Sequence, residues 1–244
     1  LSSIGAVFSV LLIVAGATEM EGKEVTFESG RTRAHLLELF TSEGCSSCPP
    51  ADAWFSKLKD EPGLWRDFVP IAFHVTYWDH LGWRDPFASK LWTARQHAYA
   101  ARWKSSSVYT PGFVLNGREW RDRAVPAGGK EDAGVLKITV ADNDVVKASF
   151  AGTEAGSPRH ELHVARLGFD LNTNVKAGEN RGRKLLHDFV VLSLATTPLK
   201  AEGTELRVPP AMAKTPAGSR AAIAAWVTKA GDLEPLQAVG GWLR

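Results

Sequence analysis

The sequence predicts an α/β layered domain followed by a β-rich unit, and three observations carry that expectation. His35–Thr41 and Phe68–Val75 are short apolar runs of the kind that form buried strands, and helical patterns flank them. Pro126 to Ala133, rich in Gly and Pro, reads as a link. Beyond it the texture changes to short alternating or apolar runs with turn signals between them. A chain of 244 residues at 44% hydrophobic composition can bury two ordinary cores, which suits such a division.

Leu1 to Ala17 contains a nearly uninterrupted apolar run, Ile4 to Ala15, too short for an ordinary membrane span, and ends in the small-x-small pattern Ala15-Gly16-Ala17. We expect an export signal here, which leaves no transmembrane span in the mature chain and sends it to an oxidising periplasmic or extracellular compartment. After the first strand, Ala51 to Lys59 carries Trp54, Phe55 and Leu58 at helical spacing. The second strand runs into a polar-aromatic stretch, Thr76 to Pro86. Of the nine tryptophans, Trp54, Trp65, Trp78, Trp83, Trp92 and Trp103 cluster in this region, as an aromatic core or a ring-lined groove would require. Leu91 to Trp103 reads as a second helix, and Pro111 opens an apolar strand that ends in the hairpin signal Asn116-Gly117. In the second unit, Val135–Val140, Val145–Phe150, Leu162–Leu167, Phe189–Leu194 and Ala221–Val227 read as strands of a small sandwich. The charged run Glu179 to Lys184 reads as a solvated hairpin tip.

Both cysteines of the chain fall in Cys45-Ser46-Ser47-Cys48, followed by Pro49 and Pro50. A stabilising staple is a poor use of so short a loop, which restricts the unfolded chain by only about 2 kcal/mol. A structural zinc site needs four ligands, and no second ligand pair stands at finger-like spacing. A redox dithiol needs only two sulfurs within bonding reach and surroundings that favour one thiolate. The position between strand and helix supplies those surroundings, because the free amides and dipole of a helix N-terminus lower a thiol pKa. Pro49 and Pro50 suit the first helical turn, where a missing N–H costs nothing. Cys45, the nearer to solvent in such a turn, is the expected nucleophile and Cys48 the resolving thiol. The chemistry needs no cofactor beyond the redox-active disulfide, and its partners would be protein or small-molecule thiols and disulfides.

A strand, a CxxC at a helix start and a later Thr-Pro entering a strand together resemble the thioredoxin fold. The resemblance implies a cis bond before Pro111, whose loop lies against the dithiol, with Thr110, Pro111 and Trp78 at a substrate cleft. It also implies a buried carboxylate on the strand before the motif, here Glu38, that moves a proton to or from the resolving thiol. Glu43 is closer in sequence but expected to be exposed in the turn. More closely, Glu38–Asp52, Phe73–Asp79, Gly82–Phe87 and Tyr109–Pro111 resemble the family numbered 1223 among domains of unknown function. Its members are mostly exported bacterial proteins with a thioredoxin-like domain, and Gly178–Arg183 and Asp188–Val191 are similar to its second segment. The fold class expected is therefore an α/β thioredoxin-like domain over residues 30–125, followed by a β-rich, sandwich-like domain over 134–244.

Two rival readings use the same cysteines. His74, at the end of a strand, would complete a soft copper site with Cys45 and Cys48. Alternatively the fold is a non-catalytic interaction module whose disulfide is structural. Asp79, His80 and Asp85 are expected to order the Trp-rich loop, with Arg95 paired to Asp79 or Asp85. A net charge of +2 and a pI near 8.6 are too mild to imply nucleic acid.

Overall fold

In a computed structural model, residues 24–122, 124–153, 159–215 and 218–243 are described. The expected export signal at 1–17 lies outside the described residues. The first half of the chain forms β1 (Val25–Glu28), β2 (His35–Thr41), α1 (Pro49–Lys57), β3 (Phe68–His74), α2 (Lys90–Arg102), β4 (Gly112–Leu115) and β5 (Arg118–Glu119). β2 and β3 run parallel, from His35 opposite Phe68 to Thr41 opposite His74. Their apolar continuity is what strands covered on both faces require. Successive β2 side chains point to opposite faces, so Leu39 meets Phe55 of α1 while Phe40 packs against Tyr99 of α2. β4 lies antiparallel to β2, and Asn116 and Gly117, both at positive φ, turn it into β5. Ser89 caps α2 by accepting the Leu91 N–H at 3.2 Å.

The second half supplies β6 (Val135–Val140), β7 (Val145–Ala151), β8 (His160–Gly168), β9 (Leu171–Asn174), β10 (Lys184–His187), β11 (Val190–Leu199), β12 (Thr204–Arg207), β13 (Ala221–Lys229) and β14 (Pro235–Leu243). The stretch 126–133, read as a link, is not a boundary between sheets. One eight-stranded sheet runs in the order β14-β13-β8-β11-β3-β2-β4-β5 and draws on both halves. The junction is β11 on β3, where Val190 pairs with Ala72 and the Ala72 N–H donates to the Phe189 carbonyl at 2.8 Å. A separate four-stranded sheet, β1-β6-β7-β12, takes its first strand from the N-terminal side.

Alternation along β13 joins two cores. Ala222, Ala224 and Trp226 pack with Leu36, Phe40, Phe73 and Tyr99, whereas Ile223, Ala225 and Val227 pack with Leu136, Ile138 and Val146 of the small sheet. β14 escaped the sequence reading because it begins with Pro and contains Gly240 and Gly241. Both glycines have a packing reason, since rings of Trp65 and Phe27 occupy the space that a Cβ would take. No helix among the described residues is long and apolar enough to cross a membrane.

Candidate functional site

Cys45 and Cys48 are joined by a disulfide, with their Cα atoms 5.5 Å apart. Cys48 is the N-cap of α1, its carbonyl accepting from the N–H groups of Ala51 and Asp52 at 2.8 and 3.0 Å, and the two prolines fill the first turn. Gly44 is required next to the pair, because a Cβ there would stand 2.8 Å from the Trp78 Cβ. The Ser47 hydroxyl lies 3.3 Å from Cys45 Sγ and donates to it, the oxidised sulfur having no proton to give. The Thr110 carbonyl oxygen lies 3.7 Å from the same sulfur. Trp78 Nε1 donates to Thr110 Oγ1 at 2.7 Å, and the Thr110–Pro111 peptide bond is cis. The structure thus gathers Cys45, Cys48, Trp78, Thr110 and Pro111.

One expectation about this pair is corrected. Cys45 is not the solvent-nearer thiol: both cysteines are fully buried. The run read as a solvated tip, in the loop between β9 and β10, is instead anchored on the dithiol turn. Buried Asn180 donates its side-chain amide to the carbonyls of Glu43 and Cys45 at 2.8 and 2.9 Å. Glu179 accepts the Ser46 N–H at 2.9 Å, which holds its exposed carboxyl below the ordinary range. Arg181, Arg183 and Lys184 remain exposed.

Glu38 is not brought to the sulfurs. It lies on the α2 face of β2, where Arg95 grips it through two bonds, Nε to Oε2 at 2.7 Å and Nη2 to Oε1 at 3.1 Å. The Tyr99 hydroxyl donates to Glu38 Oε1 as well. Burial pushes the Tyr99 hydroxyl well above its ordinary pKa, so it remains a donor, although Arg95 pulls the other way. Arg95 therefore pairs with Glu38 rather than with Asp79 or Asp85, and its guanidinium lies over the rings of Phe73, Tyr99 and Trp226.

The ionisable groups on the α1 side are others. Glu43, expected in solvent, is fully buried and accepts from Trp83 Nε1 at 2.7 Å. His187 Nε2 lies 3.1 Å from the other Glu43 oxygen, and His187 Nδ1 lies 4.0 Å from Asp52. His74 Nδ1 bonds Asp85 at 2.7 Å, and its ring meets that of His187 edge to face at 4.9 Å. Asp85 also accepts the N–H groups of Glu43 and Phe87, each at 2.9 Å. Burial opposes charge on His74, yet Asp85, with Asp52 and Glu43 behind it, outweighs burial and raises its pKa to about 9. Asp85 is correspondingly held below the usual carboxylate range by His74, against its own burial.

Asp52 differs from its neighbours. Burial raises its pKa, and His187 and His74 only partly restrain the rise. It stands four residues after Cys48, hence on the same face of α1 one turn along. With His74 and His187 it walls a narrow gap, and with His187 it also borders a cleft of about 300 Å3 between α1 and β10. His74 is committed to Asp85. Among the described residues, no group of three or more His, Cys, Asp and Glu side chains has the arrangement to hold a metal ion. Sequence reasoning assigned no role at the dithiol to Asp52, Asn180 or His187, although Asp52 and Asn180 lie within stretches that resemble the family and His187 immediately precedes another.

The family's model, described as a protein of unknown function (DUF1223), matches residues 36–228. The chain belongs to the DUF1223 family. No curated protein matches it. Among solved structures, this DUF1223 chain is similar to the crystal structure of a protein from Agrobacterium tumefaciens, at 24% identity and a TM-score of 0.58, over 88% of this chain and 95% of the other. It is also similar to HBP35 of Porphyromonas gingivalis, at 12% identity and a TM-score of 0.54, over 88% and 76%. Both likenesses are of fold.

Proposed function

We propose that this DUF1223 protein is an exported thiol–disulfide oxidoreductase with a thioredoxin-like unit built from β2, α1, β3, α2 and β4. The observation that carries the reading is the Cys45–Cys48 disulfide at the N-terminus of α1, with the buried carboxyl of Asp52, its pKa raised by burial, one turn along. The β2–β3 parallel pair, the antiparallel β4 and the Thr110 contact with Cys45 support the thioredoxin-like part. A disulfide suits an oxidising compartment, which supports export.

In this reading the reduced Cys45 attacks a partner disulfide as its thiolate, forming a mixed disulfide and expelling one partner thiolate. Cys48 then attacks Cys45 Sγ, re-forms the protein disulfide and releases the second partner thiol, so that two electrons pass to the partner. The Cys48 proton goes to Asp52, which takes the role first expected of Glu38. Trp78, Thr110 and Pro111 shape the wall that the partner meets.

The test is turnover of insulin disulfides by the protein with dithiothreitol as reductant. The reading expects catalysis above the background of dithiothreitol alone, abolished in Cys45→Ser and Cys48→Ser. One observation favours a second reading: both cysteines are fully buried, as suits a structural disulfide in an interaction module. Absence of turnover with a disulfide that resists reduction would decide for that reading.

A further inference from the structure

The loop between β9 and β10 is chemically matched to the dithiol turn. Asn180 supplies two donors to two carbonyls of the dithiol loop, and Glu179 supplies an acceptor to the intervening Ser46 N–H. These three bonds satisfy backbone groups at positions 43, 45 and 46, from a segment more than 130 residues later in the chain. The loop closes on itself, with Gly182 N–H donating to the Val175 carbonyl at 2.8 Å and Val175 N–H to the Arg183 carbonyl at 2.9 Å. Gly178 and Gly182, both at positive φ, bracket Glu179, Asn180 and Arg181. Two glycines thus bracket the residues that hold the dithiol turn, and Glu179 and Asn180 supply the side-chain bonds to it.

We infer that Glu179 and Asn180 are positioning residues that latch the β9–β10 loop over the Cys45–Cys48 disulfide, and that the size of the opening selects which thiols reach it. With both sulfurs buried, an attacking thiolate must wait for the loop to lift. A small thiol needs a small opening, and a cysteine within a peptide needs a larger one, at a greater cost in broken bonds. The inference deepens the oxidoreductase reading but does not stand or fall with it, because it concerns the stoichiometric reduction of this disulfide and not turnover. In that reaction one external thiolate attacks a protein sulfur and forms a mixed disulfide, and a second releases the oxidised dimer of the reagent. Two electrons pass to the protein, and solvent protonates its thiolates.

The experiment measures the rate of reduction of the full chain by 2-mercaptoethanol and by a longer peptide carrying one cysteine, each rate referred to the thiolate concentration. In the native protein the small thiol is expected to react faster. Asn180→Ala is expected to raise the peptide rate about tenfold and the small-thiol rate much less, so that discrimination falls. Glu179→Ala, at an exposed position, is expected to move the ratio in the same direction, and it supplies the answer if Asn180→Ala does not fold. A ratio unchanged in the folded variants, or a native disulfide that both thiols reduce at equal rates, overturns the inference. Loss of insulin turnover with the selectivity effect intact would count against the oxidoreductase reading alone.

Discussion

His187 and Glu43, 144 residues apart in sequence, meet at 3.1 Å in the interior beside the dithiol. Glu43 precedes the first cysteine by two residues, and His187 ends β10. The pair ties the CxxC turn to the second half of the chain, and Trp83 completes the carboxylate's bonding. His187→Ala leaves Glu43 buried without its imidazole and is expected to destabilise the oxidised protein by about 1–3 kcal/mol. Urea unfolding of the two proteins at equal pH measures the difference.

Glu38 and Arg95 form a second buried pair, on the other side of β2. Arg95→Met strands Glu38 and should cost about 3–5 kcal/mol, while the double variant with Glu38→Gln should recover a substantial part of that loss. A double-mutant cycle by urea unfolding reads both. The same Glu38→Gln variant, if folded, should leave the pH dependence of disulfide exchange unchanged, whereas Asp52→Asn should move it.

His74 makes stability depend on pH in a defined direction. Its folded pKa of about 9 exceeds the unfolded value of 6.5, so the contribution is complete below pH 6.5 and is lost as pH rises through 9. The total is about 3 kcal/mol, and Asp85→Asn should flatten the alkaline slope. His163 acts in the opposite sense. Burial, helped by Arg95, depresses its pKa to about 3, so its contribution is present above pH 6.5 and is lost as pH falls towards 3. Urea midpoints of the oxidised protein against pH should show both slopes, the acid one reduced in His163→Gln.

Trp78 should report the redox state. Its indole N–H holds Thr110, whose carbonyl touches Cys45 Sγ, so opening the disulfide changes the surroundings of the ring. Trp78→Phe is expected to remove most of the fluorescence change on reduction. Gly44→Ala, which forces a Cβ against Trp78, should destabilise the oxidised form and perturb the same signal.

The first half of the fold was legible because its signals are local. His35–Thr41 and Phe68–His74 are continuous apolar runs, the prolines mark the start of α1, and Asn116-Gly117 marks a hairpin. The sharing of one sheet was not legible, because no residue of β11 says which strand lies beside it. Val190 reads equally well in a separate core and against Ala72. The same limit applied to the site. Glu43 and Asn180 are polar residues in turns, and each is buried only because Trp83, His187 and the dithiol loop converge from distant segments. Glu38 was placed on the right strand but the wrong partner, since a strand's alternation gives two faces without saying which one holds the dithiol.

The central claim is that Cys45 and Cys48 form an exchangeable dithiol, and a redox titration of the full chain against glutathione buffers, followed by tryptophan fluorescence, tests it most directly. The account predicts a reversible two-electron transition between about −120 and −270 mV, absent in Cys45→Ser. A disulfide that remains closed to potentials below about −300 mV would contradict it and mark the bond as structural.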